Sequence, residues 1–310
     1  TNPDGSELIQ LTGDLGARES SPRSVRPQQL RMNEYYTWPT WSSDGRRLAA
    51  SHVIVEESRT EITLQVLDAR TGHSNIVYEN NQAGLVADGA PHYIYWAPIG
   101  DQVSFLASTS EGLALFVWDG TSGRPAAQIS LGAPLYYQWS KDAEAMALHV
   151  GSELIWASPP SAVPSRQSFH TAGNFRVPAV SPDGSTLAYV DRTIEGTALY
   201  VAPTSDLSQA KQVLDLGWSS SLMWSPDGTQ IAVADQSISK TQLFDRLMLV
   251  PADGGAPTSL VSAGSSDDIW AFFWAPTSER LAWVTVNGAR QELELKVSSI
   301  DGAEIKNIFD

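Results

Sequence analysis

Apolar and polar residues alternate in short runs along this chain, and the runs recur in a fixed order. The first run of each unit ends on a large residue, as in Tyr93-Ile94-Tyr95-Trp96 or Phe272-Phe273-Trp274. A turn follows, clearest in Ser181-Pro182-Asp183-Gly184 and Ser225-Pro226-Asp227-Gly228. Serine suits the first position of a type I turn, proline presets φ at the second and glycine suits the fourth. An aliphatic run comes next, as in Leu187-Ala188-Tyr189-Val190 or Ile231-Ala232-Val233-Ala234. A third run follows a polar loop, for example Leu113–Trp118, Leu199–Ala202 or Leu247–Val250. Turns such as Asp253-Gly254-Gly255 and Asp301-Gly302 lead into a weaker fourth. Alternation of period two, bounded by Gly, Pro, Asp and Ser, predicts strands. No segment holds a helical period long enough to compete.

The units begin at Trp41, Trp96, Trp139, Val180, Trp224 and Trp274, with spacings of 55, 43, 41, 44 and 50 residues. Five of the eleven tryptophans occupy this one position. Four strands in about 45 residues, repeated six times, predict an all-β fold: a six-bladed β-propeller of four-stranded antiparallel blades. One such sheet cannot bury both faces alone, so neighbours bury each other and the repeated tryptophan is expected to wedge between them. A β-sandwich or an open solenoid is the competing architecture. The pattern implies a single domain over residues 1–310, with blades starting near 35, 90, 133, 174, 218 and 268. Residues 1–12 read as a ring-closing outer strand on the blade that contains Trp274. Residues 14–34, with Arg18, Arg23, Arg26 and Arg31, read as a solvated connector.

The W-S-P-D-G sequence followed by an aliphatic-Ala-aromatic strand resembles the TolB-type propeller repeat, itself a WD-like repeat. Val180–Val190 and Trp224–Ala234 carry the resemblance best, and the repeat covers nearly the whole chain. It implies a propeller and, less specifically, a function. The family it resembles includes a periplasmic protein-binding propeller and the propellers that precede prolyl-oligopeptidase-type hydrolases. An extracytoplasmic location, periplasmic or secreted, is implied by this resemblance alone. TolB proteins also carry a mixed α/β domain before the propeller, and no segment here reads as one. Some copies depart from the pattern: Ile99, Thr277 and Ser278 replace Asp or Gly, and Lys141 replaces Pro. Those turns are expected to survive as a different type.

Charge and composition narrow the function further. The chain has 310 residues and a net charge of −15. That charge argues against nucleic acid, whose phosphates would be repelled. Cysteine is absent, which excludes disulfides, thiolate metal sites and a cysteine nucleophile. No run approaches the 18 apolar residues of a membrane-spanning helix. Thr1 opens a polar stretch rather than a secretory signal, as in a chain that has been processed or cut from a longer one.

No nucleophile elbow, zinc-protease, EF-hand, phosphate-loop or dinucleotide motif is present. The histidines His52, His73, His92, His149 and His170 fall on different blades, so no metal site and no cofactor are expected. His52 and His149 hold nearly equivalent second-strand positions, which reads as packing between blades. Acidic turns at Asp183, Asp227 and Asp253 read as turn formers, since calcium needs six to eight oxygens at one point.

The connections that lead into each first strand are aromatic. They supply the candidate ligand-binding residues at the channel mouth: Tyr36, Trp38, His92, Tyr93, Tyr136, Arg176, Trp218, Asp268 and Trp270. Tyr35, Tyr137 and Phe175 lie beside them. Aromatic residues with an arginine are common anchors of binding surfaces. The expected function is a non-enzymatic binding module, a monomer that takes a protein or peptide partner. A carbohydrate-active lyase or hydrolase with its site at the channel mouth is the alternative. The propeller part of a larger peptidase or sensor is a further one.

Overall fold

The computed structural model describes residues 34–55, 60–80, 90–121, 123–157, 165–168, 177–192, 194–237, 244–263, 267–287 and 292–309. The expected strand within residues 1–12 and the connector up to residue 33 lie outside them. The chain divides into two compact units, Thr1–Gly132 and Ala133–Asp310.

The first unit holds two sheets. One is β1 (Glu34–Trp41), β2 (Arg47–Val55), β3 (Thr60–Asp68) and β4 (Ser74–Asn80). The other is β5 (His92–Trp96), β6 (Val103–Thr109), β7 (Gly112–Trp118) and β8 (Ala127–Leu131). The second unit holds four more. The third sheet is β9 (Leu135–Trp139), β10 (Met146–Val150), β11 (Glu153–Ala157) and β12 (Ser165–Ser168). The fourth is β13 (Ala179–Val180), β14 (Thr186–Arg192), β15 (Thr197–Pro203) and β16 (Lys211–Leu216). The fifth is β17 (Ser220–Trp224), β18 (Gln230–Asp235), β19 (Arg246–Pro251) and β20 (Thr258–Val261). The sixth is β21 (Asp267–Trp274), β22 (Arg280–Asn287), β23 (Glu292–Ser299) and β24 (Ile305–Phe309). Every sheet is an antiparallel meander in sequence order. The only helical element among the described residues is one 3₁₀ turn, Leu207–Gln209.

The turn between first and second strands follows from its serine and aspartate. Backbone bonds Gly45 N–Ser42 O, Ala143 N–Ser140 O, Gly184 N–Ser181 O, Gly228 N–Ser225 O and Ser278 N–Ala275 O close it at 2.9–3.0 Å. The serine hydroxyl donates to the aspartate in Ser42–Asp44, Ser140–Asp142, Ser181–Asp183 and Ser225–Asp227. These hydroxyls, joined by backbone N–H donors, hold the carboxyls of Asp142, Asp183 and Asp227 below the usual carboxylate range. The fourth residue is left-handed throughout, with φ of 68° at Gly45, 59° at Ala143, 74° at Gly184 and Gly228, and 65° at Ser278. The departing copies were expected to change turn type. Instead the turns with Lys141 and Ser278 keep the same hydrogen bond and the same left-handed corner. Ser278 also accepts the Asp227 N–H of the preceding sheet's turn through its hydroxyl, at 2.9 Å. Its side chain therefore does something glycine could not.

Neighbouring sheets within a unit are joined at a repeated seam. Trp96 Nε1 donates to Thr40 O at 3.0 Å, Trp224 Nε1 to Ala179 O at 2.8 Å, and Trp274 Nε1 to Met223 O at 3.1 Å. Each acceptor immediately precedes the repeat position of the sheet before. Its cross-strand partner is an alanine every time: Thr40 faces Ala49, Ala179 faces Ala188 and Met223 faces Ala232. A larger residue there would crowd the incoming indole, which gives the alanine of the second-strand motif its purpose. Where Val180 replaces tryptophan, Gln138 reaches across instead and accepts the Val180 N–H at 2.8 Å. Gln138 sits just before Trp139 and opposite Ala147, so the substitute bond uses the same place in the seam.

Apolar layers fill the rest of each seam. Ala49, Leu64 and Val66 pack with Trp96, Phe105 and Phe116 in the first unit. In the second, Ala188 and Leu199 pack with Trp224, Ile231 and Val233, while Leu247, Leu249 and Leu260 pack with Phe272 and Trp283. One expectation needs correction. Trp41 is 55% exposed, whereas Trp96, Trp139 and Trp224 are 7–8% exposed, so the repeated tryptophan is not buried in every sheet.

Replacing Trp224 with Phe should keep most of the apolar contact and orphan the Ala179 carbonyl, at about 1–3 kcal/mol. Replacing it with Ala should cost about 3–5 kcal/mol. Urea unfolding measures both; an unchanged stability in the Phe variant would show that the indole bond contributes nothing.

Candidate functional site

Three opening strands break their own alternation. In β1 the register shifts between Thr37 and Thr40, in β5 between His92 and Tyr95, and in β21 between Ile269 and Ala271. Each shift is a β-bulge, which bends the strand and re-aims a side chain. The re-aimed residues are exposed aromatics: Trp38 at 51%, Tyr93 at 42%, and Trp270. Pro39 explains the first bulge, because proline has no N–H to donate to a ladder.

Trp38 and Tyr93 also have φ of 56° and 48°. The left-handed region is unusual for a non-glycine residue and rarer for a bulky one. Such a conformation costs on the order of 1–3 kcal/mol and persists only where its surroundings enforce it. The two rings lie on adjacent sheets of the first unit with centroids 6.0 Å apart and planes tilted by 35°. His92 joins them, its ring 5.4 Å from Tyr93, and its Nδ1 donates to the Ala90 carbonyl at 3.1 Å. Burial, and then the neighbouring Tyr93, push the Tyr95 hydroxyl above its ordinary pKa.

Tyr36 faces differently. It is half-buried and stacks on His52, its cross-strand partner, at 4.4 Å and 19°. His52 Nε2 donates to Glu34 at 2.9 Å, while its Nδ1 accepts from Gln65 at 2.9 Å. The chemistry of these partners assigns the neutral Nε2–H tautomer. Both ring nitrogens are thus engaged. Burial, then Glu34, raises the Tyr36 pKa. Tyr136 and His149 repeat this cross-strand pairing in the third sheet, with ring centroids 5.8 Å apart. His149 is buried and Nε2 donates to Gly151 O at 3.1 Å. Each of these tyrosines thus pairs with the histidine opposite it on its own sheet.

Trp218, in the second unit, is 59% exposed, and the Arg192 guanidinium lies 5.1 Å over its ring. The connector that carries it is tied down. Gly217 N donates to Asp235 Oδ2 at 2.8 Å, and Trp218 N donates to Gln236 O at 2.9 Å. A side chain on Gly217 would put its Cβ 1.9 Å from the Gln236 carbonyl, so only glycine allows this approach. Arg246 forks onto the buried Asp235 through Nε and Nη2 and steadies the connector from below. Sequence reasoning missed this pair, which no motif marks. Asp268 is half-buried near Trp270 on β21. Arg176 and Phe175 lie outside the described residues. No group of three His, Asp or Glu side chains among the described residues is placed to hold a metal ion.

No protein-family model matches the chain, and no curated protein matches it. Solved structures do. The β-propeller domain of the Trilobed protease from Pyrococcus furiosus, described as having an open velcro topology, is similar at TM-score 0.57 and 13% identity, over 90% of this chain and 86% of that one. An oligogalacturonate lyase in complex with manganese is similar at TM-score 0.57 and 14% identity, over 81% and 73% of the two chains. TolB from Acinetobacter baumannii is similar at TM-score 0.44 and 16% identity. The match covers 88% of this chain and spans only 54% of that TolB. At such identities the likeness concerns the fold. Together with six four-stranded antiparallel meanders, it makes this an all-β, six-bladed β-propeller. Among the described residues no helix is long and apolar enough to cross a membrane.

If the strain at Trp38 serves exposure of its ring, glycine there should be more stable than alanine by about 1 kcal/mol, because only glycine relaxes at positive φ. Thermal unfolding of Trp38→Gly and Trp38→Ala compares them. Equal stabilities would mean that the left-handed conformation is not held in solution.

Proposed function

We propose that this propeller is a non-enzymatic binding module that captures a protein or peptide segment on Trp38 and Tyr93. One observation carries the reading: two large aromatic rings on adjacent sheets are held in solvent by left-handed backbone. Hydrophobic burial cannot account for strain whose result is exposure. Rigid aromatic anchors bring large contact area with little ordering entropy, which is why they dominate binding hot spots. Trp218 in the second unit is a further exposed aromatic on a braced connector and fits the same reading. The resemblance of the repeat to TolB propellers supports an extracytoplasmic location and a monomer that meets its partner across one face.

Selection of a displayed random-peptide library on the immobilised chain tests this. Enriched peptides should lose binding when Trp38 or Tyr93 is replaced by Ala. Enrichment indifferent to both rings would overturn the site. A melting temperature raised by pectic oligosaccharides, and by none of the peptides, would move the protein to the carbohydrate-active alternative, since a ligand of the folded state stabilises it by mass action.

A further inference from the structure

We infer that a cleft between the fifth and sixth sheets binds a neutral, mainly apolar small molecule through one carbonyl oxygen. The site lies within the second unit and does not rest on the binding reading above. A bulge in β20 leaves Leu260 unpaired between Ser259 and Val261, and its side chain is 7% exposed. The fifth sheet supplies Leu260, Val261 and Ala263 to the lining, and the sixth supplies Trp283, Lys296 and Ile305. The cleft has a volume of about 490 Å³, within the range of roughly 300–1,000 Å³ of small-molecule sites. Trp283 and Thr285 stand two residues apart on β22 and so share a face. Both are buried, and neither Trp283 Nε1 nor Thr285 Oγ1 has a hydrogen-bond partner among the described residues. The indoles of Trp96, Trp224 and Trp274 each find a carbonyl, so Trp283 departs from their pattern. A donor buried without an acceptor is costly. An indole N–H only donates, so the missing group is an acceptor. Lys296, opposite Trp283, pairs at 2.9 Å with Glu294, opposite Thr285. An anion would gain from Lys296 and lose to Glu294 and to the net charge of −15, which favours a neutral occupant. Trp283 is almost wholly covered, so an occupant reaches its N–H by moving a lining side chain, and Lys296 has the flexible stem for this. A water molecule could accept the N–H but would leave the apolar walls wet. A carbonyl on an apolar body serves both.

Titration of the full chain, labelled with ¹⁵N at its indoles, tests the inference with three soluble molecules that share one cyclohexyl ring. They are the neutral cyclohexanecarboxamide, the cyclohexanecarboxylate anion and the cyclohexylammonium cation. The carboxamide should shift the Trp283 indole resonance saturably and bind about tenfold tighter than the ammonium, which offers no acceptor. Saturation-transfer NMR then follows carboxamide binding to two variants. Trp283→Phe, which keeps the ring and loses the donor, should weaken it about tenfold. Ala263→Trp, on the exposed rim, should block entry while leaving the melting temperature unchanged. Equal binding of all three molecules, or carboxamide binding indifferent to both variants, would overturn the inference. Preference for the carboxylate would make this an anion site set by Lys296 and overturn the neutral occupant. A Trp283 resonance that moves with none of the three would mean that the indole meets only water, and the inference fails.

Discussion

The bond from a tryptophan indole to a backbone carbonyl of the neighbouring sheet is the constraint on which the rest depends. Burial of apolar surface holds sheets together without fixing their relative position, because the hydrophobic effect has no direction. The indole N–H does have one. Trp96, Trp224 and Trp274 each reach the residue just before the repeat position of the preceding sheet. That contact sets which part of one blade meets which part of the next. It also dictates the alanines at 49, 188 and 232, since the acceptor's cross-strand neighbour must be small. The Gln138–Val180 bond shows that the place in the seam matters more than the residue that fills it.

A seam fixed at the end of each opening strand leaves the middle of that strand free to depart from regular pairing. Bulges at Trp38, Tyr93 and Trp270 use that freedom. They turn into solvent rings that regular alternation would have placed elsewhere. The seam at the end of the strand supports the strained backbone beside it. The buried Asp235–Arg246 pair gives Trp218 the same support by another route. In β5 and β21 the exposed aromatic in the middle of the strand is thereby separate from the indole bond at its end.

The architecture was legible because its signals are local and repeated. Tryptophan, serine, proline, aspartate and glycine recur in one order, and each acts on its nearest backbone. The turns with Ala143 and Ser278 were misjudged, because the backbone closure that both keep was given less weight than the glycine. Ala143 accepts a left-handed corner at a cost, and Ser278 offsets it with a bond to Asp227. The aromatic candidates could not be sorted individually. Tyr36 and Tyr136 turn onto histidines, while Trp38 and Tyr93 turn outward, because a bulge reverses the phase of alternation. Pro39 was the one local sign of such a bulge. The bracing of Gly217 depends on a charge pair formed across two strands, which is not written in a short motif.

The account's central claim is tested most directly by hydrogen exchange at the tryptophan indoles, followed by ¹⁵N-resolved NMR with each resonance assigned by substitution. The indole protons of Trp96, Trp224 and Trp274 should exchange far more slowly than those of the exposed Trp38, Trp218 and Trp270, because exchange at the seam requires neighbouring blades to part. Exchange of Trp224 as fast as that of Trp218 would contradict the claim that these bonds fasten one blade to the next.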